Sequence, residues 1–178
     1  MSRKAATPSH EFISVDGIDP SAVLVEAKVA LGTARRGGIS RWDASGVFEE
    51  LAVADGAAGA PSARTLLLLY AADLAFRLRW QIRPALAEGR TVVAAPYVDT
   101  AKAFGRAAGL PPAWLDNLFG FAPRAKRRRF AHARDRRLGA VTDGFVGFSC
   151  AHMARGPKAK TGRQVMEETA RMLLRLDR

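Results

Sequence analysis

Two short runs leave this chain few choices of fold: F-I-S-V-D at residues 12–16 and T-V-V-A-A at 91–95. Both are short, apolar and rich in β-branched residues, and each ends at a turn former, Gly17 and Pro96. Continuous apolar strands of this kind belong to a parallel sheet covered by helices on both faces. The stretches between them read as helices. Asp19-Pro20 is a helix start, because Asp can accept free backbone N–H groups and Pro tolerates the first helical position. That helix runs through 21–31 and stops near Gly32, with Gly37-Gly38 turning into a short strand at 39–42. Strand and helix in alternation predict an α/β fold with a short, mostly parallel sheet flanked by helices.

Further along, 52–63 reads as an Ala/Gly/Pro-rich connection, and 62–88 carries the longest helical pattern. Its first half leaves almost no polar face, so it belongs between other elements. Asp73 and Arg77 are spaced to pair at i,i+4, which is worth only tenths of a kcal/mol. Pro84 kinks or restarts that helix and Gly89 ends it. Helices are predicted at 99–108, 113–121 and 161–176, a strand at 145–150, and a helix-compatible basic stretch at 124–138. No internal repeat is present. Residues 1–10 read as a polar tail and 11–178 as one domain with a basic, lid-like segment at 124–137.

With 178 residues, 48% of them hydrophobic, the chain can bury a core without disulfides or structural metal. Its one cysteine cannot bridge internally, and three histidines are too few for a Cys/His cluster. Cys150 reads as an inert core residue and His132 as part of a solvated face. The start of the chain lacks the apolar core of a secretion signal, and no apolar run spans a bilayer. A cytoplasmic protein without membrane attachment is expected.

The net charge of +11 is unevenly placed. Arg124, Lys126, Arg127, Arg128, Arg129, Arg134, Arg136 and Arg137 face one acid, Asp135, for a local +7. Arg155, Lys158, Lys160 and Arg163 add +4, which completes the whole excess. Two such patches would attract polyanions, nucleic acid included, although few aromatics interleave with them to stack on bases. The alternative is a solvated helix face and a loop.

A strand ending in D-G-I-D and entering a helix is where a phosphate-binding loop belongs. The pattern G-x-x-x-x-G-K-[ST], counted from Gly17, meets Ala22, Val23 and Leu24 where glycine, lysine and a magnesium-binding hydroxyl are required. Pro20 also deletes one N–H from the would-be nest. The helix is expected to start early and fill the phosphate space with its own first turn.

Several segments together resemble thymidylate kinase, a P-loop nucleoside monophosphate kinase family. They are F-I-S-V-D-G-I-D at 12–19, L-L-L-L-Y-A-A-D at 66–73, I-R-P-A-L-A-E-G-R-T-V-V at 82–93, Y-V-D-T at 97–100, A-F at 103–104 and G-L-P-P-A-W-L at 109–115. The resemblance covers roughly residues 11–122 and implies a three-layer P-loop-kinase-like fold. It places Tyr70 where an aromatic stacks on the base and Phe104 along the nucleoside pocket. Asp16, Gly17, Asp19, Asp73, Tyr97 and Asp99 also match family positions, so these eight are the candidate nucleotide-binding residues. The departures fall on the chemistry. Leu74 stands for an arginine, Ala95-Pro96 for an Asp-Arg pair, and Gly105 for a glutamine. The family's next buried strand, due soon after Phe121-Ala122, is replaced by the basic run.

Loss of this many groups should abolish phosphoryl transfer, since one charge-stabilising group alone commonly contributes about 10³–10⁵ in rate. The expectation is a degenerate thymidylate-kinase-like protein acting as a nucleotide-binding or protein-interaction scaffold. Its partners would be a thymidine nucleotide, another protein or a second copy. One alternative is a kinase with a non-standard phosphate site served by the arginines of 124–137. Only then would Mg²⁺ and ATP be needed; otherwise no cofactor or metal is expected. The other alternative is polyanion or nucleic-acid binding through the basic patches.

Overall fold

A computed structural model describes residues 11–34, 36–42, 50, 59–132, 144–157 and 159–178. The predicted tail at 1–10, most of the connection at 52–63, and Arg134, Arg136, Arg137 and Lys158 lie outside them. Strand β1 (Phe12–Asp16) leads into helix α1 (Pro20–Leu31) and strand β2 (Gly37–Arg41). Helix α2 (Ala63–Arg77) passes through a π-turn at Leu78–Ile82 into α3 (Arg83–Ala87), then β3 (Thr91–Ala95). Helices α4 (Val98–Ala107) and α5 (Pro112–Leu118), strand β4 (Arg127–Phe130), and helices α6 (Phe145–His152) and α7 (Gly162–Leu176) complete the described chain.

The four strands are all parallel, in the order β2-β3-β1-β4. Phe12 pairs with Val92 and Ile13 with Val93 on one side of β1, and Ile13 with Arg127 on the other. Because side chains alternate along a strand, Ile13, Val15, Val93 and Ala95 meet α1 through Val23, Ala27 and Ala30. Phe12, Val92 and Ala94 face the larger core, shared with Leu66, Leu67, Leu74, Phe104 and Val165. Helix, sheet and helix make three layers.

Helix ends follow the sequence chemistry. Asp19 caps α1, Ser62 caps α2, and Thr161 and Gln164 form a reciprocal capping box on α7. The rod from 63 to 87 restarts through the π-turn just before Pro84, where the missing N–H breaks the helical ladder.

Helix α2, expected to lie between other elements, leaves Leu68, Ala72 and Phe76 exposed, and Gly37-Gly38, expected as a turn, begins β2. Two further elements differ in kind. F-V-G-F-S-C, expected as a strand, is the helix α6, buried from Phe145 to Cys150. A wholly apolar run has no periodicity to separate helix from strand, and its flanks decide. The basic stretch, helix-compatible in its sequence, contains β4, parallel to β1. Thus a strand does follow Phe121-Ala122. Lying at the sheet edge with arginines toward solvent, it lacks the apolar run that marks an inner strand.

Candidate functional site

Strands β1 and β3 lie side by side, yet the chain leaves them in opposite directions, β1 toward β2 and β3 past β1 to β4. Open parallel sheets bind ligands beyond the carboxyl ends of the strands at such a point. A cavity of about 260 Å³ lies there, lined by Gly17, Pro20, Arg41, Trp42, Pro96 and Thr100 among others.

Asp16, the last residue of β1, is buried beside this cavity and works across the sheet. Its Oδ1 accepts the Tyr97 N–H at 3.0 Å, the Thr100 N–H at 2.8 Å and the Thr100 hydroxyl at 2.8 Å. These N–H groups sit at the start of α4, which has no cap of its own, so β1 caps the helix that follows β3. Oδ2 has no hydrogen-bond partner. Burial first, and the nearby Asp99 carboxylate second, push the Asp16 carboxyl up to about 7, against the three bonds that favour its charge. Thr100 also accepts the Gly17 N–H at 3.0 Å. Gly17 is required by space, because a Cβ there would sit 2.7 Å from the Ala131 carbonyl oxygen.

Asp19 closes the other candidate position. Its Oδ1 accepts the N–H groups of Ser21 at 2.9 Å and Ala22 at 3.3 Å, and Pro20, just before them, supplies none. A phosphate would need those donors, and a fixed carboxylate both occupies and repels. The start of α6 covers the same turn so closely that a Cβ on Gly144 would come 2.8 Å from Pro20 Cγ. The residues present therefore do not fit a magnesium-bound triphosphate. Among the described residues no three His, Cys, Asp or Glu side chains converge to hold a metal.

Tyr70 and Phe104 are brought together, fully buried. Their common neighbour is Phe145 of α6, with ring centres 4.5 Å from Tyr70 and 5.3 Å from Phe104. Phe119 meets Tyr70 on a further side at 6.1 Å. The Tyr70 hydroxyl donates to the carbonyls of Tyr97 at 2.8 Å and Pro96 at 3.1 Å, and burial pushes its pKa above the usual phenol range. The two rings expected to hold a base pack on a phenylalanine from a segment whose sequence reads equally as strand or helix. Tyr97 is likewise buried, packed edge-on to Phe12 at 5.3 Å, and donates to the Pro123 carbonyl at 2.7 Å.

Asp73 accepts from Arg77 Nε at 2.8 Å, as the spacing predicts, but the setting differs from an exposed helix. Arg77 is 2% exposed, reaches the Ser40 carbonyl at 3.4 Å and lies over the Tyr70 ring. Its Nη2 has no partner, so this pair cannot be valued as a surface pair.

Of the five described cations in the basic stretch, four are paired. Lys126 and Arg127 pair with Glu11, Arg128 with Asp99 at 2.6 Å, and Arg129 with Glu26 of α1 at 2.6 Å. Arg124 lines a separate open groove with Lys102, Asp116 and Arg128, where the Lys102 ammonium holds the Asp116 carboxyl below its ordinary pKa. In the second stretch Arg163 pairs with Glu167, Lys160 with Glu168, and Arg155 donates to the Cys150 carbonyl. Cys150 is buried, which raises its thiol to about 11 and leaves it inert at neutral pH. His132 pairs with Asp177 at 2.7 Å. No helix among the described residues is long and apolar enough to cross a membrane. Comparison with known proteins finds neither a matching family model nor a matching curated protein.

Proposed function

We propose that this chain is a degenerate thymidylate-kinase-like protein that does not transfer phosphate and serves as a binding scaffold, with protein interaction ahead of nucleotide binding. The observation that carries the reading is the self-capped start of α1, where the Asp19 carboxylate takes the donors a phosphate would need. Phe145 between Tyr70 and Phe104 favours a protein partner over a nucleotide, since a base could enter only by displacing it. The pairing of Arg127, Arg128 and Arg129 with acids speaks against their service as a phosphate-binding lid.

The test is a thermal melt with dTMP, with dTDP, and with ATP and Mg²⁺, alongside an assay of phosphate transfer from ATP to dTMP. A ligand at a hundred times its Kd adds about 2.7 kcal/mol, which moves the midpoint by several degrees. No shift and no transfer are expected. A shift with ATP and Mg²⁺, or any turnover, overturns the reading; a shift with dTMP alone returns the base pocket to use.

A further inference from the structure

The rod formed by α2, the π-turn and α3 carries an apolar row on its outer side. Leu68, Ala72, Phe76 and Trp80 follow at intervals of four and all are exposed, Phe76 by 59% and Trp80 by 61%. Residues on such a row are neighbours along a helix. The two rings lie 6.5 Å apart, and the Arg79 guanidinium stacks on Trp80 at 5.2 Å. Beside Trp80 a groove of about 300 Å³ opens toward the outer strand β2, lined by Gly38, Ile39, Gln81 and Arg90. Large exposed aromatics beside arginine are the residues that dominate binding energy at protein interfaces.

Charge decides what fits this row. From Ala63 to Ala87 there are four arginines and one acid, Asp73, which the buried Arg77 holds. Arg79 and Arg83 are exposed and make no ion pair with a described residue. Among the described residues, other acids are paired elsewhere: Glu11, Glu26 and Asp99 with the arginines of β4, Glu88 at the end of the rod with Arg90, and Glu167 and Glu168 of α7 with Arg163 and Lys160. A second copy laid on this row would bring arginine toward arginine with no free carboxylate on the rod. A nucleic-acid strand would satisfy the cations but leave Leu68 and Ala72 facing phosphate and sugar. We infer that this face docks an acidic amphipathic helix of another protein, its apolar side on Leu68, Phe76 and Trp80 and its carboxylates on Arg79 and Arg83. This assignment stands apart from the fate of the nucleotide: binding of ATP would end the reading above and leave this surface as it is.

The probes are two synthetic amphipathic helices of about five turns, alike in their Leu/Phe face and differing in Glu or Lys flanks, and a single-stranded DNA oligonucleotide of mixed sequence. Each is titrated against the intact protein, its Trp80→Ala variant and the Arg79→Glu/Arg83→Glu pair, with melts to verify the fold. The Glu-flanked helix should bind, weaken at least about tenfold on loss of Trp80, and yield to the Lys-flanked helix in the charge-reversed pair. Equal binding of both helices, or of neither, overturns the proposal. So does DNA binding that depends on Trp80, or a self-associated protein that Trp80→Ala separates into monomers.

Discussion

A carboxylate that closes a neighbouring helix while half of it has no partner holds its charge at a cost. Asp16 is that group, and the sign of its effect follows from its raised pKa, about 7 against an ordinary 3.8. Between those values the native state binds a proton that the unfolded chain has released, so stability falls as pH rises from about 4 to about 7. Asp16→Asn keeps an oxygen for the three bonds and removes the buried charge. Denaturant melts should show the variant gaining stability relative to the parent as pH rises, by a few kcal/mol at pH 8 at roughly 1.4 per pKa unit; parallel pH profiles would contradict the account. Arg77 makes the opposite case. Its removal leaves the partly exposed Asp73 without its cation and the Tyr70 ring without cover, so Arg77→Ala should lose about 2–3 kcal/mol. A loss of only tenths would match the value expected from its spacing alone and contradict the buried setting. Spacing announces a partner; it carries no information about depth.

At the scale of elements, capped or bounded segments were legible and segments defined by their neighbours were not. F-I-S-V-D and T-V-V-A-A were readable to the residue because each combines an apolar run with a stop, Gly17 or Pro96. The start of α1 was readable because Asp19-Pro20 has one favourable use. The helix α6 was not, since F-V-G-F-S-C is apolar throughout and helix and strand bury it equally well. R-R-R-F was not, because its strand conformation comes from hydrogen bonds to β1 and its side chains find acids in three other segments. The candidate site shared that fate: Asp16, Tyr70 and Phe104 are legible, while Phe145, whose ring packs against both Tyr70 and Phe104, lies in that ambiguous segment. Phe145→Ala should remove about 3–5 kcal/mol and open a gap between Tyr70 and Phe104. A benzene-like ligand should recover part of that loss in a melt of the variant, and an unchanged midpoint on mutation would mean α6 is not seated there.

For the molecule as a whole, the sum of +11 describes poorly where charge acts. Among the described residues, four of the five cations of the patch richest in arginine are paired with acids from other segments, while Arg79 and Arg83 on the rod of α2 and α3 are exposed without an ion pair. Alanine at Arg127, Arg128 and Arg129 together should therefore lower stability by about 1–2 kcal/mol, each half-exposed pair being worth up to about 1, and leave heparin binding nearly unchanged. A large loss of heparin affinity with an unaltered melt would return the polyanion site to β4. The strand order has a further consequence, for the chain as it is being made. Strand β1 pairs only with β3 and β4 among the described strands, and β2 only with β3. The two described strands among the first ninety residues do not bond to each other, so their sheet waits for Thr91–Ala95. Until those five residues leave the ribosome, α1 has no sheet on which to lay Val23, Ala27 and Ala30. Strands β1 and β2 and the apolar face of α1 must stay unpaired, and open to chaperones, until then.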